Sequence, residues 1–246
     1  MIALHRCGLL ALCIFAVLAA GFGGTSSASA QNPIVLERLK SWDASAPQPD
    51  GGEILAQIQR AAQALFDTRK GMCKPKSFEI ASVSPITSSR LIFNGILHGQ
   101  LRNGWIVSAL HKGCPESEAY RYMLVEDKDS ILSAVFVNLG KSNANPTLMN
   151  DTSWQAALVA QGEVTKLAPK CGGKDISMVR TRIDTERKGL GPDVFGVRYV
   201  GSWSEVWTFS TCDRTVEVGV DFAADGDGGA YTNIKSSAVR VLNAEH

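Results

Sequence analysis

The chain lacks the features that mark a nucleic-acid-binding protein or an enzyme of a motif-defined class. Its 25 lysines and arginines are balanced by 24 aspartates and glutamates, whereas a nucleic-acid-binding surface needs an excess of basic side chains. It contains no GxSxG, HExxH, P-loop or dinucleotide-binding motif. These absences argue against a nucleic-acid partner and favour a non-enzymatic protein that needs no cofactor.

A hydrophobic run long enough to span a membrane is also missing. The apolar stretch Leu9–Leu18 falls short of the ~20 residues that a transmembrane helix needs. It follows His5 and Arg6 and precedes Ala28–Ala30, a cleavage site with small residues at its first and third positions. This order predicts a signal peptide over residues 1–30 and an exported chain, periplasmic or extracellular, without a membrane span.

Cysteine is scarce, and its spacing is informative. Two of the six cysteines, Cys7 and Cys13, lie in the predicted signal peptide. An even number of cysteines in an exported chain predicts disulfides, and a four-cysteine zinc site would need close CxxC pairs that are absent. The four remaining cysteines fall into two pairs with the same separation, which predicts the disulfides Cys73–Cys114 and Cys171–Cys212.

Two similar stretches lie 98 residues apart, Ile96–Cys114 and Val194–Cys212. Each is predicted to be a β-hairpin with a two-residue turn, Asn103-Gly104 in the first and Gly201-Ser202 in the second. In each, a tryptophan follows the turn and a cysteine ends the stretch nine residues later. The alternative is two unrelated hairpins in a single all-β domain.

The same offset also relates the predicted helices and the remaining predicted strands. Apolar periodicity predicts one helix over Glu53–Lys70 and another over Asp151–Ala168. Each helix leads into the first cysteine of its copy, and strands follow it, including Ala119–Glu126 in the first copy and Glu217–Ala224 in the second.

The sequence therefore predicts an α+β fold made of a tandem repeat. Each unit is expected to pack one helix on a four- to five-stranded antiparallel sheet with its own disulfide. The units are 53–140 and 148–239, and residues 31–52 form an N-terminal tether. The order of elements resembles cystatin-like domains and secreted tandem-repeat inhibitors such as the β-lactamase inhibitory protein. That resemblance does not extend to particular residues, so it implies no site.

The predicted turns assign side chains to the two faces of each hairpin, because side chains alternate along a strand. In the first hairpin, Leu97, Leu101, Ile106 and Leu110 make the more apolar face, which is expected to meet the helix. In the second helix, Trp154, Leu158, Val164 and Leu167 are expected to be buried. The tryptophans of the hairpins then lie on the sheet faces turned away from the helices.

These tryptophan-bearing faces are the predicted partner-binding surfaces, because tryptophan and arginine dominate the energetics of protein interfaces. Alternatively, they pack inside the protein or line a small-ligand pocket. The candidate partner-binding residues are His98, Arg102, Trp105, His111, Arg198, Trp203, Glu205 and Trp207.

Two patterns resemble metal sites but are incomplete. His98 and His111 would form a diagonal pair across the first hairpin, about 7–8 Å apart, without a third ligand at a suitable spacing. The turn Asp225–Gly229 resembles a calcium loop, but the twelfth position, which needs a glutamate, is Ser236. No metal is therefore predicted.

The leading functional hypothesis is an exported, non-enzymatic binding or inhibitor-like protein that contacts a protein or an envelope component through the tryptophan-bearing faces. One alternative is a small-ligand carrier, or an unrecognised hydrolase, with a pocket between the two units. Another is a structural protein of the cell envelope.

Overall fold

The computed structural model of the protein describes Glu37, Ser41 and residues 47–68, 73–115, 118–171 and 176–242. The predicted signal peptide and most of the predicted tether lie outside these residues. The helices are α1 (Gly51–Thr68), α2 (Arg90–Leu97) and α3 (Pro146–Leu167). The strands are β1 (Ser77–Pro85), β2 (Leu101–Lys112), β3 (Tyr120–Asp127), β4 (Leu132–Gly140), β5 (Ser177–Glu186), β6 (Asp193–Val194), β7 (Val197–Arg198), β8 (Ser202–Thr211), β9 (Arg214–Ala224) and β10 (Ala230–Leu242).

Eight of these strands form one sheet in the order β1-β2-β3-β4-β5-β8-β9-β10, and β6 pairs with β7 separately. Neighbours in the large sheet are antiparallel except β4 and β5, which run parallel through Leu139–Arg180 and Gly140–Thr181. The fold is thus mixed α+β with a large sheet. We call residues 51–140 the first half and residues 146–242 the second half.

The helices α1 and α3 lie on opposite faces of this sheet. In the first half, Leu139 is paired with Tyr120 and both belong to the core beneath α1. Across the parallel pair, Leu139 shares its face with Arg180, whereas the neighbouring Thr181 shares its face with Trp207, which lies beneath α3. Because successive side chains point to opposite faces, the second half presents its helix to the other side.

The first helix follows the sequence prediction closely. Asp50 precedes it and accepts a hydrogen bond from the backbone N–H of Gly52 at 2.7 Å, which satisfies one of the free donors of the first turn. The predicted apolar stripe is buried against the sheet at Ile54, Ile58 and Ala62.

The predicted hairpin at Asn103-Gly104 is wrong. Both residues lie inside β2, at a bulge opposite β3, and residues 90–97 form α2 instead of a strand. The reason is the close approach of α2 to β2, since a Cβ on Gly104 would meet Ile92 Cδ1 at 2.9 Å. Gly104 is needed here for helix packing rather than for a turn.

The predicted turn at Gly201-Ser202 is wrong as well, because β8 begins at Ser202 and pairs with β5 and β9. The tight turns of the second half lie elsewhere, at Phe195-Gly196 between β6 and β7 and at Cys212-Asp213 between β8 and β9. All four of these residues have positive φ, as a two-residue type I′ turn requires.

The third helix begins at Pro146, five residues earlier than predicted, and it buries a different face. Its N-cap is Asn145, whose side-chain oxygen accepts a hydrogen bond from the N–H of Leu148 at 3.0 Å. The buried face is made largely of small side chains, and three of the four large residues expected to be buried are exposed: Trp154, Leu158 and Leu167. Alanines at 156, 157 and 160 let the helix lie close to the sheet.

Both predicted disulfides are confirmed, with Cα–Cα distances of 5.7 Å for Cys73–Cys114 and 6.0 Å for Cys171–Cys212. Two disulfides indicate an oxidising compartment. Within the described residues, no helix combines the length and the hydropathy that crossing a membrane requires.

Candidate functional site

The structure places the tryptophans of both predicted hairpins beneath the helices, so the predicted assignment of sheet faces is reversed. Trp105 packs in the core under α1, and Trp203 and Trp207 pack in the core under α3. The face assignment failed because it relied on hairpin partners that do not exist in the structure. None of the three indole rings is available to a partner on the surface of the folded protein.

His111 is buried on the same face as Trp105, in a box of aromatic rings. It stacks on Tyr120 with ring centroids 3.5 Å apart, and Phe78 meets its edge at 4.9 Å. Its Nε2 shares a hydrogen bond of 2.8 Å with the hydroxyl of Tyr122, and Nδ1 has no partner among the described residues. Burial lowers the pKa of His111 to about 4 and raises the pKa of Tyr122, so both are neutral at pH 7.

The other two candidates of the first half lie apart from this box. Arg102, at the start of β2, forms an ion pair with Glu126 at 3.5 Å and donates to the Ser130 hydroxyl. His98 is exposed just after α2. His98 precedes β2, and His111 lies near the far end of that strand. Because a strand extends by about 3.4 Å per residue, the two histidines are held apart and the predicted diagonal pair does not form.

Glu205 is the centre of a buried polar network in the second half. Its carboxylate accepts hydrogen bonds from the indole N–H groups of Trp203 (2.9 Å) and Trp207 (2.8 Å). It accepts three more from the loop before α3, namely from the Ser142 hydroxyl and the backbone N–H groups of Asn143 and Ala144. Trp203, Glu205 and Trp207 thus lie together on one face, as the sequence predicted, but they are buried and hold the loop before α3 in place.

Arg198 joins the edge of this network. It donates to the side-chain oxygen of Asn143 at 3.1 Å and to the carbonyl of Gly191 at 2.7 Å. Arg121 approaches from the first half and donates to Asn138. Burial lowers the pKa of Arg121, and the charges of Glu205 and Asp193 act in the opposite direction. Asn138 in turn donates to the hydroxyl of Thr181 on β5 at 2.6 Å, so side-chain hydrogen bonds tie the two halves together.

A cleft of about 700 Å³ lies between the two halves, on the face of the sheet that carries α2 and α3. Small-molecule sites commonly have volumes of about 300–1,000 Å³. Three segments supply most of the lining: the start of α2 with Ser88 and Arg90, one face of α3 with Thr147, Asp151 and Gln155, and the turn between β9 and β10. Tyr199, between β7 and β8, completes it. We call it the interhalf cleft.

The first turns of α2 and α3 meet at this cleft. The Thr147 hydroxyl accepts from the backbone N–H of Leu91 at 3.1 Å and lies 3.1 Å from the Ser89 hydroxyl. Ser89 is the N-cap residue of α2, yet its side chain makes no capping bond within that helix. Both helices thus direct the positive ends of their dipoles toward the same space.

The turn that closes the cleft is ordered by its own aspartate. Asp225 Oδ1 accepts from the backbone N–H groups of Asp227 and Gly229 at 2.8 and 3.0 Å. In the first half, Asp127 Oδ1 accepts from Asp129 and Ile131 in the same pattern. Among the described residues, no group of three or more His, Cys, Asp or Glu side chains is arranged to hold a metal ion.

A larger depression, about 790 Å³, surrounds Arg102 between the start of α1 and the turn after β3. One of its walls is Pro47–Pro49, which belongs to neither a helix nor a strand. The interhalf cleft is instead built on two helices and a hydrogen-bonded turn, and rigid elements position a binding site better. We therefore take the interhalf cleft as the candidate site.

Apart from the turn Asp225–Gly229, which the sequence singled out only as an incomplete calcium loop, the residues of this cleft were not among those that the sequence indicated. The run Thr87-Ser88-Ser89 before an apolar periodic segment is a signal for the start of a helix, and so is Asn145-Pro146. Those signals would have placed two helix N-termini in the sequence. They would not have brought them together, because that depends on the parallel pairing of β4 and β5.

Comparisons with protein-family models, with curated proteins and with solved structures find no match to this chain.

Proposed function

We propose that the chain is an exported, non-enzymatic binding protein whose ligand site is the interhalf cleft. The observation that carries the proposal is the cleft itself, about 700 Å³, with lining residues from both halves and from elements ordered by hydrogen bonds. A site of this kind holds a small molecule. Export is supported by the two disulfides and by the signal-like sequence at the start of the chain.

The proposal includes the tandem origin of the two halves. In support, the strand orders match, each half carries one disulfide with a separation of 41 residues, and the two aspartate turns share one hydrogen-bond pattern. Because β5 runs parallel to β4, the strand directions of the second half are reversed relative to the first. A sheet unit that keeps its strand order but reverses its strand directions has been turned over. This accounts for the positions of α1 and α3 on opposite faces of the sheet.

On this view, the sequential units 53–140 and 148–239 are two α+β repeats, each comparable in outline to a cystatin-like domain. The interhalf cleft then has no counterpart within a single unit, since α2 comes from the first and α3 from the second. Ligand binding would be a property gained by joining the repeats.

The experiment is a fragment screen on the full chain by ligand-observed NMR, with binding expected for small molecules that fit the cleft. Gln155 faces the cleft from the exposed side of α3, so Gln155→Trp should obstruct it and weaken binding at least tenfold. The matched control is Thr165→Trp, an exposed position on the same helix away from the cleft. Equal binding by both variants would place the ligand elsewhere and refute the proposal.

A protein partner, an envelope partner, hydrolase activity and a structural role remain predictions from the sequence. For a protein partner, the contact surface has to be one other than Trp105, Trp203 and Trp207, because those side chains are buried.

A further inference from the structure

We propose that the interhalf cleft binds a small zwitterion with a net positive charge, that is, a basic amino acid or a short peptide of basic amino acids. This inference rests on the proposed function and adds the chemistry of the ligand. It follows from the groups of both signs that line one cleft and from a buried hydroxyl that has no partner there.

The carboxylate of such a ligand is matched by Arg90. This guanidinium lies at the first residue of α2 and lines the cleft. Within the part of the chain that the structure describes, no hydrogen-bond or ion-pair partner is assigned to it. A planar guanidinium binds a carboxylate through two parallel hydrogen bonds, and the two helix N-termini at the cleft add a favourable field for an anion.

The cationic groups of the ligand are matched by three carboxylates. Asp151 projects from α3, and Asp225 and Asp227 belong to the turn between β9 and β10; all three line the same cleft as Arg90. Against one guanidinium, three carboxylates leave an excess of negative charge. The net charge of these four groups is −2, so a ligand with a net positive charge offsets part of it, whereas a neutral or anionic ligand does not.

Ser88 provides an independent indication of a polar ligand. Ser88 lines the cleft and is only 8 % exposed, and its hydroxyl has no hydrogen-bond partner among the described residues. Buried hydroxyl groups are nearly always hydrogen-bonded, so an exception calls for an explanation. A hydroxyl both donates and accepts; because this oxygen is itself buried, a rotation about the Cα–Cβ bond has to bring it to the cleft before Ser88 serves the carboxylate or the ammonium of a ligand.

The experiment is isothermal titration of the full chain with L-arginine and two analogues that each lack one charged group. Agmatine lacks the carboxylate and L-norvaline lacks the guanidinium. We expect L-arginine to bind at least tenfold more tightly than either analogue, and we expect its affinity to fall as salt is added. Equal affinities for L-arginine and agmatine would overturn the inference.

Substitutions then test which residues bind the carboxylate of the ligand and which bind its cationic groups. Arg90→Gln should weaken L-arginine at least tenfold and leave agmatine unchanged, whereas Asp151→Asn and Asp227→Asn should weaken both. The matched control is Arg182→Gln on β5, which does not line the cleft and should change neither affinity. If Arg182→Gln has the same effect as Arg90→Gln, binding follows overall charge and the inference fails.

The inference and the proposed function fail in different ways. If the charged probes do not bind but a neutral fragment binds and is displaced by Gln155→Trp, the cleft is a ligand site of another chemistry and only the inference is overturned. If neither the probes nor any fragment responds to Gln155→Trp, both are overturned.

Discussion

Glu205 and His111 are buried polar side chains, each on the face of its half of the sheet that the helix covers, and the two are held in opposite ways. Glu205 in the second half accepts hydrogen bonds from five different residues. His111 in the first half has one hydrogen bond, to Tyr122, and its Nδ1 is buried without a described partner. One site is saturated with donors, and the other is enclosed by aromatic rings.

The difference follows from where the partners come from. The donors to Glu205 include the loop 142–144, which enters the second half between β4 and α3, so a segment linking the halves is tied to the core. The surroundings of His111 are Phe66, Phe78, Tyr120 and Tyr122, which favour the neutral imidazole. A buried charge requires a complete set of partners, whereas a buried neutral histidine tolerates an incomplete one until it is protonated.

Removal of the Glu205 carboxylate is expected to lower the unfolding free energy the most. Glu205→Ala leaves two indole N–H groups and the backbone N–H of Asn143 without an acceptor, and it leaves the Ser142 hydroxyl and the Ala144 N–H with only their local partners. We therefore expect a loss of about 5 kcal/mol of unfolding free energy. Urea unfolding followed by tryptophan fluorescence measures it. The control, Glu217→Gln on the opposite face of the same half, should cost less than about 0.5 kcal/mol; similar losses for both would disprove the role of the network.

The two disulfides allow the stability of the halves to be compared directly, because each joins cysteines that are 41 residues apart. Chain entropy alone predicts that Cys73→Ser with Cys114→Ser costs about 4 kcal/mol, and that Cys171→Ser with Cys212→Ser costs the same. Each double variant is measured by urea unfolding against the parent. The two costs should agree within about 1 kcal/mol; a larger difference would mean that loop closure does not account for the stabilisation.

His111 should make the first half sensitive to acid. Its pKa is about 4 in the folded protein and about 6.5 when unfolded, so between these values the unfolded chain binds the extra proton. Stability therefore rises with pH across this window and is lost as the pH falls from about 6.5 to 4, by about 3 kcal/mol in total.

The contribution of His111 is isolated by comparison with His111→Phe, which retains an aromatic ring and cannot be protonated. The stability of the parent, measured relative to this variant at each pH, should fall by about 3 kcal/mol between pH 7 and pH 4. Taking the difference between the two proteins cancels the contributions of the carboxylates that both contain. A difference that stays constant with pH would contradict the buried neutral state of His111.

The sequence predicted features that depend on local pattern or on spacing. The stripe of α1, the strands β3 and β9 and both disulfides follow from periodicity and from equal cysteine separations. The Asn103-Gly104 turn failed because local turn propensity competes with packing, and here α2 needs Gly104 beneath Ile92. Together with the false turn at Gly201-Ser202, that error supplied false partner strands and reversed the predicted faces of both halves.

The candidate site could be predicted only in fragments. Trp203, Glu205 and Trp207 alternate along one strand, so their common face was predictable. Their burial and the donors from residues 142–144 depend on a loop about sixty residues away in the chain. The interhalf cleft joins segments near residues 88–90, 145–155 and 225–230, and only the parallel junction of the halves brings them together.

Trp154 gives the smallest expected effect and tests the assignment of the buried face of α3. It is 67 % exposed, whereas Met149 on the same helix is buried in the core between α3 and the sheet. Trp154→Ala should therefore change the unfolding free energy by less than about 0.5 kcal/mol, while Met149→Ala should cost about 3 kcal/mol through the cavity that it leaves. If Trp154→Ala proved the more damaging of the two in urea unfolding, α3 would pack through the face that the large apolar residues first suggested. The second half would then bury large side chains beneath its helix as the first half does, and the small-residue contact that distinguishes α3 from α1 would be lost.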